Sequence, residues 1–201
     1  MTPPGTFERV YSAIRQRLRE GVYRPGDRLE PAALSDDLNA SVTPVRDALH
    51  RLTGEGMVEA PRQEGFRAPM LTEALLRHLY GWHLDLLLLA VIKRQTEAPG
   101  EEVVANGAGD PLYLRRNALF LVLARTAGNP EHVAALERLI HRLEPVQRLE
   151  HHFLDETEDE TNEIIRALQL GDRKALRRGL VRYHRRRLRI IPDLLSSMLR
   201  D

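Results

Sequence analysis

The chemistry easiest to read in this chain sits between residues 43 and 67. Thr43, Arg46, Asp47, His50 and Arg51 share the outer face of a helix whose inner face would be Val45, Ala48, Leu49 and Leu52. A guanidinium on such a face, Arg46 before the others, can pair in a forked geometry with O6 and N7 of guanine. Thr43 can cap the helix and touch phosphate; an intrahelical ion pair of Arg46 with Glu30 or Asp47 is the competing use of that side chain. Further on, Arg62, Gln63 and Arg67 surround a turn. Gly65 there would let backbone approach closely, so these residues can reach phosphate or the minor groove, or simply form a solvated hairpin.

Other chemistries are missing their residues. Without cysteine there is no disulfide framework, thiolate zinc site or cysteine nucleophile. Neither a glycine-rich phosphate loop nor a nucleophile elbow occurs, and the chain is read as no enzyme. His151 and Asp155, spaced i, i+4, with His152 beside them, are a candidate metal group. Neighbouring Glu150, Glu156 and Glu158 favour a solvated polar segment instead.

The elements that must position these residues follow from apolar spacing. Phe7, Val10, Tyr11, Ile14 and Leu18 put an amphipathic helix over residues 6–20, with Thr6 as its cap. A second short helix runs from Pro31 to Asn39, and a turn at 40–42 leads to the third, making a helix-turn-helix. Met57–Ala60 and Gly65–Ala68 flank Pro61–Glu64 as a short hairpin, so residues 1–70 read as a winged helix-turn-helix. Residues 71–201 read as an all-helical bundle. Its helices are expected near 72–96, 111–127, 130–143, 145–170 with room for a break inside it, and 172–199, separated by Gly128-Asn129-Pro130, Pro145 and Gly171-Asp172, with a loop at Ala98 to Gly109. The fold class is therefore mainly α, with one small β-hairpin.

Thirty Lys and Arg against 29 Asp and Glu leave a net charge of +1, yet all but Lys93 and Lys174 of the basic residues are arginine. Residues 1–70 hold ten arginines and ten acids, so any DNA affinity must come from where arginines are placed rather than from bulk charge. The start lacks a secretory pattern, and the longest apolar stretch, Leu84–Ile92, contains Asp85. A cytoplasmic protein with no membrane segment is expected. The arginine-rich stretch 173–189 is expected to pair with the acidic run 155–163. Tyr80, Trp82, His83, Tyr113 and Tyr183 would line a pocket or belong to the core.

Residues 10–70 resemble the N-terminal domain of the GntR family of bacterial transcription regulators. The resemblance is carried by Gly21-Val-Tyr-Arg-Pro-Gly26, Leu29, Leu34, Leu38, Ser41, Thr43-Pro44-Val45-Arg46-Asp47-Ala48-Leu49, Arg51-Leu52, Glu55-Gly56 and Gly65. Val42 stands where the family usually has arginine, and Pro31 where it usually has glutamate. Gly128-Asn129-Pro130 and Ile164-Ile165-Arg-Ala167-Leu168-Gln-Leu-Gly171-Asp172 make the rest similar to the helical FCD effector domain of the FadR branch.

The resemblance implies a homodimer on a pseudo-palindromic operator, a repressor role, and a small-molecule effector, with a carboxylate as one candidate, held in the bundle. Many members hold a divalent metal through Asp and three His. Here those positions fall on Arg116, Phe120, Thr161 and Tyr183, with His184 adjacent, so no metal is expected. Arg116 would then either supply the missing positive charge and anchor an acidic or polar effector, with Phe120, Tyr183 and His184 around it, or pair with a nearby acid. The alternatives are a bundle that only dimerises, and a ligand-binding protein or enzyme that uses the bundle for its chemistry.

Overall fold

The computed structural model describes residues 5–62, 64–94 and 110–198; Gln63 and the loop expected from Ala98 to Gly109 lie outside them. The chain divides into two compact units, one reaching Leu71 and the other spanning Thr72–Ser196.

The first unit contains α1 (Thr6–Arg19), α2 (Pro31–Asp37) and α3 (Val42–Gly54). The apolar positions that predict each helix are the ones it buries: Val10, Tyr11, Ile14 and Leu18 on α1, and Val45, Ala48, Leu49 and Leu52 on α3. Both faces join one core with Leu29, Leu34, Leu38, Met57, Val58, Phe66 and Ala68. Arg9 reaches from α1 to the turn after α2, donating to the carbonyls of Leu38 at 2.7 Å and Asn39 at 3.1 Å. That ties the entry of α3 to α1, with Asn39 at φ 47°, a conformation asparagine tolerates better than most residues.

Two cap assignments change. Gly5, not Thr6, precedes α1, and Ser41, not Thr43, precedes α3; neither end has a side-chain cap bond, and Thr43 lies inside the helix. The expected hairpin is smaller than a pair of strands. Glu59 and Arg67 exchange backbone hydrogen bonds of 2.9 Å each. Arg28 lies on the other side of Arg67, flanked by Leu29 N–H to Phe66 C=O and Ala68 N–H to Asp27 C=O, both 2.8 Å. Isolated bridges, and no strand, are found among the described residues. Pro61 and the positive φ of Gly65 (79°) interrupt the run on either side of the tip and confine pairing to one residue per segment.

The second unit contains α4 (Glu73–Lys93), α5 (Leu112–Arg125), α6 (Pro130–Gln147), a 3-10 turn (Glu150–His152), α7 (Thr157–Gln169) and α8 (Arg173–Met198). By length and composition α4 could cross a membrane, but it packs on α5 and α6 and buries eight side chains, among them Tyr80 and His83. Thr72 caps it through a 3.1 Å bond from Leu75 N–H. Pro145 does not divide the chain as expected: α6 runs through it to Gln147, and the break comes over residues 148–156, where Glu156 adopts φ 54°. Helix starts here use short polar side chains. Asn129 Oδ1 accepts from Glu131 and His132 N–H (3.0 and 3.4 Å), and Asp172 Oδ1 from Ala175 N–H at 2.9 Å.

Asn129→Ala is expected to lower the stability of the helical unit by about 1 kcal/mol. Thr6→Ala, which removes no cap bond, should change stability by less than about 0.5 kcal/mol. Urea unfolding of both variants against the parent chain checks the pair.

Candidate functional site

Along α3 the structure exposes Thr43, Arg46, Asp47, His50 and Arg51 and buries Val45, Ala48, Leu49 and Leu52. These five are not equivalent. Arg51 is turned toward α1: it pairs with Glu8 at 3.3 Å and Glu55 at 3.4 Å, and its guanidinium lies 4.1 Å over the Tyr11 ring, whose hydroxyl donates to Glu55. His50 sets its ring edge-on to Phe66 at 4.9 Å, joining α3 to the residues that follow the wing tip. Arg67 is held by Glu59 at 2.9 Å and Glu64 at 3.3 Å. Arg46 and Arg62 are exposed, and no ion pair engages either among the described residues. Glu30, a possible partner for Arg46 by sequence, faces Arg28 instead, at 3.8 Å. Gly65 is exposed with open space where a side chain would project, so its positive φ is what favours glycine there.

In the helical unit a buried polar cluster stands where the sequence placed an effector. Arg116 on α5 and Arg187 on α8 converge on one carboxylate, Glu150, at 2.6 and 3.1 Å. Tyr80 on α4 donates to the same group at 2.8 Å. Arg187 also pairs with Glu160 on α7 and donates to Tyr183 C=O. Both guanidinia lie over the Tyr183 ring, Arg187 at 3.6 Å and Arg116 at 4.8 Å, and Phe120 packs edge-on to Tyr183 and to His83 at 5.2 Å each. All four charged members are 2–3% exposed or less. Arg116 therefore takes the second of its two anticipated roles, pairing with an acid.

Glu150, Glu160 and Arg187 were absent from the expected site, and His83 was named only as a residue of a pocket or of the core. Glu150 and Arg187 lie in stretches that read as solvated acidic and basic faces, and only their partners 34 and 37 residues away reveal them as core. Elsewhere the two stretches pair Arg182 with Glu163 on the surface, and Arg186 reaches in to the buried Glu160. Tyr80, His83 and Tyr183 are core residues, whereas Trp82 is 53% exposed.

The cluster's protonation is fixed by its surroundings. Burial raises the Glu150 carboxyl, but Arg116, Arg187 and the Tyr80 hydroxyl outweigh burial and hold it below its ordinary range. Burial, reinforced by the neighbouring imidazole and the guanidinia, pushes His83 well down. Burial takes His184 to about 4 against the opposing pull of the Leu180 carbonyl. Both imidazoles are neutral at pH 7.

A divalent metal does not suit this arrangement. The four positions implied by resemblance carry a guanidinium, a phenyl ring, a threonine and a phenol, and two guanidinia stand over Tyr183. His151 and His152 lie in the 3-10 turn rather than one helical turn before Asp155, and His151 Nδ1 donates to Arg148 C=O at 2.8 Å. Among the described residues no group of three or more metal-ligating side chains occurs.

Comparison with known proteins bears on the first unit directly. The family profile for bacterial regulatory proteins of the gntR family matches residues 6–67. By that match residues 6–67 are similar to a gntR-family domain. The chain is 41% identical over 58 residues to part of the Nta operon transcriptional regulator of Aminobacter aminovorans, a match covering 29% of the chain and 28% of that relative. The uncharacterized HTH-type transcriptional regulator YdhC of Bacillus subtilis is 26% identical over 147 residues, covering 67% of the chain and 66% of its own length. The chain thus spans less than two thirds of either curated relative. The homologues are transcriptional regulators, not enzymes.

Two solved structures show the same fold over nearly the whole chain. E. coli McbR/YncC superposes with a TM-score of 0.67 at 20% identity, covering 94% of this chain and 98% of that one. A putative GntR regulator from Rhodococcus sp. RHA1 gives 0.70 at 21% identity, with 96% and 97% covered.

Two outcomes follow for the buried cluster. Arg187→Met leaves Glu150 and Glu160 short of a buried partner and is expected to cost the helical unit about 3–5 kcal/mol in urea unfolding. The low folded-state value of His184 means that the unfolded chain, near 6.5, binds a proton the folded chain refuses. Its contribution is complete above pH 6.5 and is lost as pH falls to about 4, and a stability profile flat over that window would contradict a neutral buried imidazole pair.

Proposed function

We propose that the chain is a cytoplasmic transcription regulator that binds operator DNA as a homodimer through α3 and the wing, and that its helical unit senses a small molecule. The observation that carries the DNA reading is the division among the arginines of the gntR-family unit. Arg51 and Arg67 are neutralised by carboxylates, while Arg46 on the outer face of α3 and Arg62 at the wing tip stand exposed and unpaired among the described residues. In a winged helix-turn-helix the second helix of the pair enters the major groove, and a guanidinium there has a guanine edge within reach. Thr43, beside Arg46, and His50, anchored on Phe66, flank the reading position. Gly65 lies beside Arg62 on the way to the backbone or minor groove, and Gln63 is proposed from the sequence as a further contact there.

A single such helix reads few base pairs, so two copies on half-sites about one helical turn apart are required for a specific site. The unit is electrically neutral, so a lone copy has little bulk attraction to DNA and dimerisation supplies the rest. The helical unit, similar to the FCD domain of the FadR branch, supplies the second copy and couples effector binding to the spacing of the two reading heads. Release of the operator on binding makes the protein a repressor.

Electrophoretic mobility shifts on operator fragments recovered with the purified protein test this reading. Arg46→Ala should lose about 1–3 kcal/mol of discrimination at one base pair of each half-site. Arg62→Ala should weaken binding to all sequences alike and reduce the salt slope by about 1 per copy. Arg51→Ala should act through stability rather than base choice. Unchanged titrations for the first two variants would refute the assigned DNA face.

A further inference from the structure

Among the described residues of the first unit, three large apolar side chains stay in water: Val22, Val42 and Met70. Of these Val42 lies on α3, as its first residue, and is 39% exposed. The scaffold makes no use of it. Val42 is outside the core that Val45, Ala48, Leu49 and Leu52 enter, and Ser41 before it starts the helix without a side-chain cap bond. A β-branched residue does not help the helix either, since branching only restricts χ1. The solvated first turn of α3 therefore carries an isopropyl group where a polar side chain would serve the fold equally well.

The helical period sets this group beside Arg46. Residues four apart share a face and lie about 6 Å apart along the axis, so Val42, Arg46 and His50 form one row. His50 is committed to Phe66, with the rings 4.9 Å apart, whereas Arg46 is exposed and has no ion pair among the described residues. The free part of the row thus has an apolar end and a cationic end. When the second helix of a helix-turn-helix lies in the major groove, its N-terminal residues are the ones that reach base edges. Successive bases rise about 3.4 Å, so the step from Val42 to Arg46 covers about two base pairs.

We propose that Val42 is a specificity-determining residue that reads the C5 methyl of a thymine within about two base pairs of the guanine contacted by Arg46. Thymine is the one base that presents a methyl group in the major groove; guanine, adenine and cytosine present donors and acceptors at their edges. An isopropyl group answers neither a donor nor an acceptor. Against a polar edge it displaces water and returns no hydrogen bond, whereas against a thymine methyl it removes two apolar surfaces from water. Val42 thereby adds to the site a base that no hydrogen bond specifies. The inference rests on the reading of α3 as the helix that enters the groove.

The test uses the full chain and synthetic duplexes of an operator recovered with it. Each thymine in turn is replaced by deoxyuridine, which pairs alike and lacks only the C5 methyl. One such replacement in a half-site, within two base pairs of the position where Arg46→Ala loses discrimination, is expected to weaken binding about fourfold in mobility shifts, the effect of one buried methyl. Val42→Ser should bind the thymine and deoxyuridine duplexes alike, and Val42→Ile, which keeps a branched apolar group, should still tell them apart. Position 42 lies outside the core, so both variants should unfold in urea as the parent chain does. The proposal is overturned if no thymine lies there, if deoxyuridine has no effect, or if the effect disappears in Val42→Ile. An effect undiminished in Val42→Ser also overturns it, because that outcome marks sequence-dependent DNA shape rather than a contact. Arg46→Ala separates the two levels: discrimination lost there with deoxyuridine neutral removes the Val42 contact alone, and no effect of either change removes the DNA face of α3 with it.

Discussion

The helical unit depends on one carboxylate. Glu150 sits in the 3-10 turn after α6 and accepts from Tyr80 on α4, Arg116 on α5 and Arg187 on α8, and Arg187 extends the network to Glu160 on α7. A single acidic side chain thereby fixes the relative positions of helices that could otherwise slide on a leucine-rich interface, because apolar contacts set how much surface is buried and say little about register. Such a network is an uneven source of stability, since desolvating four charges costs much of what their pairing returns. Its effect lies in the alternatives it penalises: any shift that separates one pair leaves a charge buried alone.

The same network explains why the bundle is interrupted at residues 148–156 rather than at Pro145. For Glu150 to point inward from the end of α6, the chain must leave the helical path just after Gln147, tighten into a 3-10 turn and restart at Thr157 with Glu156 in a left-handed conformation. A proline near the end of a helix removes one donor. A carboxylate needed by three other elements redirects the backbone. That ranking is tertiary, so the local signal at Pro145 pointed to the wrong residue.

The first unit was legible because its determinants are local. Apolar residues at spacings of three and four on α1 and α3 are the residues that meet in the core, and the outward row from Thr43 to Arg51 follows from the same period. The capping roles of Thr6 and Thr43 did not survive, since each helix starts one or two residues earlier than those side chains require. In the second unit the helices themselves were visible and the cluster was not. Glu150 is surrounded in sequence by polar neighbours, and Arg187 closes the run Arg185-Arg186-Arg187, just after Arg182, which pairs with Glu163 on the surface. An i, i+4 row from Leu176 through Leu180 to His184, with Tyr183 and Arg187 beside it, marks the inner face of α8, and placing Arg187 on that stripe is the signal that would have found it.

The near-absence of lysine acquires a physical meaning from these placements. Arginine serves here as a fork that joins two carboxylates, Arg187 using Nε for Glu150 and Nη1 for Glu160, as a flat cation on Tyr11 and Tyr183, and as an exposed donor on α3 and the wing. A compact ammonium performs the last of these tolerably and the first two poorly, because it lacks the planar fork and is more strongly hydrated. What separates the roles is the company each arginine keeps. Glu8, Glu55, Glu59 and Glu64 commit Arg51 and Arg67 to the scaffold, and Glu150 and Glu160 commit Arg116 and Arg187 to the core. Net charge near zero is therefore the result of acids assigned to particular arginines, so that the same residue type is neutralised at some positions and left exposed at Arg46 and Arg62.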